Sequence, residues 1–370
     1  MKIAQVAPLY ESVPPKFYGG TERVVSYLTE ELIRQGNDVT LFASGDSVTS
    51  ARLISNTEKA LRLNAKCSDH LSHHIVQLQE IAERANEFDI IHFHNDYIHF
   101  PISVHFNVPY VTTLHGRMDM PELQHVYNKF PQQPVISISN KQREPMPQAN
   151  WVGTVYHGLP LNLLNIGTGE GNYFVFLGRI SPEKRVDRAI EIAKATGIQL
   201  KIAAKIDSED QTYFDNHIKQ LLDDPLVEFI GEINEDQKEK FLGNALAMLF
   251  PIDWPEPFGI VMIESMACGT PVIAFNSGSV PEVIDDGKSG FIVNSVDEAI
   301  RAVEKLHLLP KRNARNCFEE RFTVERMTRN YIEIYQKMID MQVRSGKLNY
   351  MNQHFFAEQQ METPYTAAQK

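Results

Sequence analysis

The sequence predicts an α/β chain of two doubly wound parallel-sheet domains, placed in tandem and facing a cleft. Three observations predict it. Short apolar or β-branched runs alternate with stretches of helical spacing as far as about residue 323. The alternation breaks once, at 160–172 (PLNLLNIGTGEGN), which is rich in Gly and Asn and lacks sustained periodicity, and then it restarts. The length, 370 residues, suits two cores of about 150 residues each better than one. Strands alternating with helices pair in parallel with helices on both faces, and such sheets take ligands beyond the carboxyl ends of their strands. A site is therefore expected in the cleft between the two.

The elements follow in order. KIAQVAP reads as a short buried strand, and a loop with Gly19 and Gly20 comes next. Val24, Tyr27, Leu28 and Leu32 then fall at helical spacing, with a stop at Gly36 and Asn37. DVTLFAS, DIIHFH, VPYVTTLH and PVISIS are the further strands of the first block, 1–165. In the second block, 166–323, YFVFLG is a strand and Val186–Thr196 a helix. LKIAAKI, LVEFIG, AMLFP, PVIAF and GFIV complete it as strands with helical spacers. The last strong helix, 324–340, carries Met327, Tyr331, Ile334, Tyr335 and Met338 on one face. The tail 341–370 becomes polar, Gln-rich and without clear period, and is expected to be mobile.

Composition narrows the function. Hydrophobic residues make up 43% and charged residues 22%, as in soluble globular chains. A net charge of −11 argues against a nucleic-acid partner, which wants a basic footprint, but leaves room for a small anion in a local positive pocket. Cys67, Cys268 and Cys317 are scattered, without disulfide framework or zinc spacing, so a reducing, cytoplasmic setting is expected. MKIAQVAPLY is too short and interrupted for a signal peptide, and no run approaches the ~18 apolar residues of a membrane span. Peripheral membrane contact stays open, although no basic amphipathic helix announces it.

The residues suited to chemistry sit where strands end and helices begin. In FYGGTE, Gly19 and Gly20 expose backbone amides ahead of a helix, where an anion is favoured, although paired glycines also serve turns. In LGRISPEKRVD, Arg179 and Lys184 share one loop and could grip a diphosphate; alternatively Arg179 pairs with Glu183 or Asp187 at the surface. In WPEPFGIVMIESMACGTPV, Pro257 suits a first turn and 259–267 reads as a helix. Glu256 then lies outside its mouth and Glu264 about two turns inside, in a run so apolar that burial without a partner would cost several kcal/mol. A vicinal diol could satisfy Glu264, and the amides around Phe258, Gly259, Ile260 and Val261 could hold hydroxyls or phosphate oxygens. His115 ends a strand in TTLHG. His92, His94 and Asp96 form a conceivable metal cluster, but ten of the 13 histidines precede residue 160, which favours chance neighbours. No D-x-D pair occurs, nor a G-x-S-x-G elbow.

Taken together, YGGTE, TLHG, GRISPEKRVD, EPFGIVMIESMACGTPVIA and GFIV, in this order, resemble the retaining family 4 glycosyltransferases of GT-B fold over roughly residues 1–340. The resemblance implies two Rossmann-like domains, acceptor side first and nucleotide-sugar side second, with the last helix crossing back to the first domain. It implies a nucleoside-diphosphate sugar as donor substrate, an unidentified glycan, lipid or small-molecule acceptor, no cofactor and no metal. Arg179 and Lys184 would neutralise the diphosphate, Glu264 hold the ribose and Glu256 the transferred sugar. Gly19, Gly20 and His115 would approach from the first domain. Two departures from the family pattern lie near the donor: Arg185 stands where Gly often follows the motif lysine, and NSGSVPE replaces the commoner double glycine. A sugar-nucleotide epimerase, a phosphorylase and a non-catalytic sugar-nucleotide-binding protein are the rival readings.

Overall fold

Two all-parallel sheets divide the chain in the computed structural model, which describes residues 1–16 and 19–361, with side chains through 344. The first sheet holds β1 (Lys2–Val6), β2 (Asp38–Phe42), β3 (Arg52–Ile54), β4 (Ile90–Phe93), β5 (Tyr110–Thr113), β6 (Pro134–Ser137) and β7 (Asn150–Thr154). Their spatial order is β3-β2-β1-β4-β5-β6-β7. The second holds β8 (Tyr173–Arg179), β9 (Gln199–Lys205), β10 (Val227–Gly231), β11 (Ala247–Phe250), β12 (Val272–Phe275) and β13 (Gly290–Val293), ordered β10-β9-β8-β11-β12-β13. This is the GT-B arrangement of two Rossmann-like sheets. The central strands read as mostly apolar runs because helices cover both sheet faces; Ile90, Ile91 and Phe93 of β4 are wholly buried, and so are the polar Gln5 and His92.

Strand order reverses between β1 and β4 in one sheet and between β8 and β11 in the other. Each reversal opens a crevice at the carboxyl ends, since the flanking connections leave toward opposite faces. Two strands, β3 and β7, were not visible in the sequence. Both are sheet edges, where a short run with mixed polarity, such as Arg-Leu-Ile or Asn-Trp-Val-Gly-Thr, suffices for pairing.

The helices that position the site are α1 (Gly20–Arg34), α2 (His70–Arg84), α3 (Val186–Thr196), α4 (Glu235–Gly243), α5 (Ile260–Ala267), α6 (Lys311–Arg321) and α7 (Val324–Met361). The expected helix from 259 begins one residue later, with Gly259 as its left-handed cap at φ 75°. Pro257 is therefore in the loop and not in a first turn.

The largest departure is α7. The helix expected to close at 340 continues to Met361, so most of the segment anticipated as a mobile tail is helical, and 362–370 lie outside the described residues. No proline interrupts the run before Pro364, and each added residue extends an existing ladder by one bond, so helix propagates without an apolar period. Met327, Tyr331, Ile334 and Tyr335 pack on Val24, Leu28 and Leu32 of α1 and on strand residues Ile3 and Ile90 of the first sheet. The chain thus returns from the second sheet to the first. Leu159 donates to Phe322 O at 2.9 Å and accepts from Val324 N at 2.8 Å where the two crossings run side by side.

Candidate active site

The loops leaving β1, β8 and β11 meet across one cleft with two lobes. The first lobe is lined by Gly19, Gly20, Lys184, Glu256, Gly259, Ile260, Val261 and Glu264, together with residues the sequence did not single out. The second is lined by His115, Phe258 and first-sheet residues. Gly19, Gly20, Glu256, Gly259 and Ile260 border both, so the lobes are continuous. Gly19 is required by contact and not by conformation. Its φ of 178° is ordinary extended backbone, but a Cβ there would lie 2.7 Å from Pro15 Cβ.

Lys184 and Glu256 form the centre of the site. The Lys184 ammonium donates to Glu256 Oε2, which also accepts from Trp254 Nε1 at 3.0 Å. The same ammonium lies 5.0 Å from the Trp254 ring centroid. An aromatic face on one side and a carboxylate on the other hold the charge at the cleft without extending the side chain into water. The two families of departure noted in the sequence have physical explanations here. Arg185 takes a left-handed φ of 53°, the conformation that favours glycine, and is held there by Asp187 at 2.8 Å and Asp253 at 2.9 Å. In NSGSVPE, Gly278 stays a glycine because a Cβ would lie 2.2 Å from the Glu256 nitrogen, at a φ of 54°. The flanking Ser277 and Ser279 hydroxyls donate to Trp254 O at 2.6 Å and Phe258 O at 2.8 Å, which fastens the loop that carries Glu256.

Arg179 does not reach the cleft. Its guanidinium sits among Glu183 at 2.6 Å, Asp207 at 3.5 Å and Asp210 at 3.5 Å, and it lines neither lobe. Of the two alternatives the sequence left open, the pairing with Glu183 is the one seen here, and Arg179 and Lys184 do not converge in this structure. The Phe258 side chain is buried against His157, with ring centroids 4.9 Å apart, and Phe258 borders the second lobe.

Glu264 is buried, 1% exposed, and a polar partner does come to meet it. That partner is Lys238 on α4, whose ammonium donates to Oε1 at 2.6 Å. The sequence reading had a ligand diol satisfying this carboxylate; the protein satisfies half of it. Oε2 remains buried without a partner, at the edge of the cleft. Arg23 of α1 pairs with Glu235 of α4, and Lys238 lies 3.3 Å from the same carboxylate. One charged network therefore spans both sheets' helices.

On the first-sheet side a hydrogen-bond chain fixes the state of His115. Gln5 Nε2 donates to the Tyr335 hydroxyl at 3.1 Å, which turns Gln5 Oε1 toward His94. His94 Nε2–H donates to that oxygen at 2.8 Å, so His94 Nδ1 is a lone pair and accepts from His115 Nε2–H at 2.9 Å. His115 Nδ1 is left as a bare acceptor, buried and without a partner. Burial pushes the His115 pKa down to about 3, so the ring is neutral at ordinary pH. Tyr335 in turn donates to His92 Nδ1 at 2.6 Å, and His92 Nε2 meets Thr113 Oγ1 at 2.7 Å. All four ring nitrogens of His92 and His94 are engaged by protein groups, which speaks against the metal-cluster alternative. Among the described residues no three His, Cys, Asp or Glu side chains gather as a metal site.

Comparison with known proteins decides what this cleft belongs to. Residues 18–152 match the family model described as Glycosyltransferase Family 4, and residues 166–321 match that described as Glycosyl transferases group 1. The chain belongs to this glycosyltransferase family. It is 24% identical over 397 residues to an uncharacterised glycosyltransferase of Methanocaldococcus jannaschii, covering 93% of this chain and all of that one. It is 26% identical to the N-acetyl-alpha-D-glucosaminyl L-malate synthase of Bacillus anthracis over 71% of this chain and 78% of that protein. Among solved structures it is similar in fold to Anabaena HepE in complex with UDP and glucose. That match has a TM-score of 0.69 and 20% identity, covering 90% of this chain and 98% of HepE.

This glycosyltransferase transfers a sugar from a nucleotide sugar, and no described helix is long and apolar enough to cross a membrane. Lys238 and Arg23 are among the first-lobe residues that sequence reasoning missed. Lys238 lies in NEDQKEKFLG, which looks like a solvated charged helix. Its signal was positional: 238, 241 and 242 share one helical face, and Phe241 and Leu242 mark that face as buried.

Proposed function

We propose that the chain is a retaining, metal-independent glycosyltransferase, with the nucleotide bound in the first lobe and the acceptor in the second. The observation that carries the reading is the Lys184–Glu256 pair. It stands at the strand-order reversal of the second sheet and borders the Gly19–Gly20 turn at the reversal of the first. The diphosphate takes Lys184 in exchange for Glu256, as a cation placed at a leaving group stabilises the charge that develops as the glycosidic bond breaks. The amides of Gly259, Ile260 and Val261, which lack intrahelical partners by their position at the start of α5, add to it. Freed from Lys184, Glu256 accepts from hydroxyls of the transferred sugar. Glu264 Oε2 accepts from the ribose, and His115 Nδ1 accepts from a sugar hydroxyl on the other side.

In the step itself the bond from the anomeric carbon to the diphosphate oxygen breaks, and a bond to the acceptor oxygen forms on the same face. The acceptor's hydroxyl proton passes to the departing phosphate oxygen, so no side chain has to act as a strong base. His115, held neutral with its proton on Nε2, suits a hydrogen-bond acceptor better than an acid. A uridine donor is the first to test, since HepE is in complex with UDP and glucose. Incubation with UDP-, GDP- and ADP-sugars in excess EDTA, with and without acceptors, should release nucleoside diphosphate in an acceptor-dependent way and give a product of unchanged anomeric configuration by NMR. Loss of turnover in EDTA, restored by manganese, would place leaving-group stabilisation on a metal. Acceptor-independent isomerisation of the sugar nucleotide would identify an epimerase.

A further inference from the structure

The second lobe carries polar groups that the donor half of the reaction does not use. Asn95 follows β4 at the strand-order reversal. It is 5% exposed, yet neither its amide nitrogen nor its amide oxygen has a hydrogen-bond partner. Glu22, in the first turn of α1, is buried beside it in the lining, and desolvation raises its carboxyl to about 7. Asp96 opens onto the same lobe from a left-handed φ of 53°, and His157 Nδ1, like His115 Nδ1, is buried without a partner. Among the described residues of this lining, Arg62 is the one Lys or Arg. Its guanidinium is 3.4 Å from Glu11 and lies over the Tyr10 ring at 5.7 Å, so its charge is already matched. Burial holds His74, His94, His115 and His157 below the usual histidine range, which leaves them neutral.

The lobe therefore presents carboxylates, an unsatisfied amide and bare ring nitrogens, and offers no spare positive charge. A phosphate or carboxylate entering it would be desolvated without a counter-ion beside Asp96 and beside Glu22, which is about half ionised near pH 7, and like charges so placed reject it. A polyhydroxylated molecule brings donors for the bare nitrogens of His115 and His157 and for the Asn95 oxygen, and its oxygens can accept from the Asn95 amide. We propose that the acceptor is an uncharged sugar or polyol whose hydroxyls are bound by Glu22, Asn95 and Asp96, and that this lobe excludes acceptors bearing a phosphate or carboxylate. The proposal rests on the transferase reading and adds the acceptor class to it.

Acceptor pairs that differ by one anionic group test it: inositol against an inositol phosphate, a free hexose against its 6-phosphate, and a polyol against the corresponding sugar acid. Glycoside formation is measured from the donor that wild type uses best. In each pair the neutral member should have a kcat/KM at least about tenfold higher, equivalent to about 1.4 kcal/mol. Glu22→Gln and, separately, Asp96→Asn should narrow that ratio by improving the anionic member, with nucleoside-diphosphate binding by calorimetry showing that each variant is folded. Equal or better use of the anionic members overturns the proposal. So does a panel in which no neutral member is glycosylated, or a ratio that neither variant moves. Failure of wild type to bind any nucleoside diphosphate is a different result and sinks the transferase reading instead.

Discussion

Glu264 and Lys238 illustrate how a buried charge is tolerated at the scale of single residues. Neither would be stable alone in the interior, since an unpaired buried ion costs several kcal/mol, but at 2.6 Å each neutralises the other. Lys238→Met should therefore destabilise the protein by about 3–5 kcal/mol, because it strands the Glu264 carboxylate. Adding Glu264→Gln to that variant should restore much of the loss, as thermal unfolding would show. Donor binding behaves differently. Glu264→Ala should weaken the bare nucleoside diphosphate by about 2 kcal/mol in calorimetry, raising donor KM with a smaller effect on kcat, because a ribose contact is the same in ground and transition states. Equal affinity in wild type and Glu264→Ala would leave Glu264 a structural partner of Lys238 only.

Among the elements, α7 does more than fasten the two sheets together. Its Tyr335 hydroxyl orients Gln5, Gln5 orients His94, and His94 fixes the proton of His115 at the cleft. Tyr335→Phe removes the first link and frees the Gln5 amide to turn over. A mixture of His115 tautomers then faces the sugar, and kcat should fall about tenfold with nucleoside-diphosphate affinity unchanged. A merely structural tyrosine would lower stability and leave kcat per folded molecule where it was, and that result would break the link between helix and site. The loop before α5 is another element-scale device. Two serine hydroxyls and the close approach of Gly278 hold Glu256 in place, so the commoner double glycine is not needed to seat it.

The whole molecule buries an unusual group of neutral histidines. His92, His94, His99 and His157 are held well below the ordinary value and His115 at about 3, in each case chiefly by desolvation. Unfolded, these rings titrate near 6.5, so below that pH the unfolded chain binds more protons and acid favours it. Glu22, raised to about 7, and Asp96, raised to about 6, act with opposite sign, binding protons in the folded state as pH falls through those values. Five rings outweigh two carboxyls. Stability should fall as pH drops from 7 to 5, by at least about 1 kcal/mol per unit below 6. Thermal scans at pH 5, 6 and 7 test this, and a melting temperature that stays flat or rises on acidification would contradict the neutral burial of the histidines.

All six strands of the second sheet and most of the first were legible in the sequence, because a parallel sheet covered on both faces demands short apolar runs between helices. So were Gly19, Gly20, Lys184, Glu256 and Glu264, though not most of the cleft's lining. Loops at the carboxyl ends of strands are where ligands bind, and glycines, a lysine and paired glutamates at those points stand out against apolar neighbours. Tertiary structure alone decided which of those charges face the cleft. Arg179 and Lys184 lie five residues apart in one loop, yet Arg179 is drawn to Glu183 four residues on and to Asp210 beyond β9, while Lys184 is drawn onto Trp254 from beyond β11. Lys238 was hidden because it lies 26 residues from Glu264 in the chain, and their pairing arises only when α4 packs beside α5. Local pattern reports the burial a residue requires and the backbone it can adopt. Where the partner that satisfies its charge comes from a distant element, as with Lys238 and Glu264, only three-dimensional proximity supplies it.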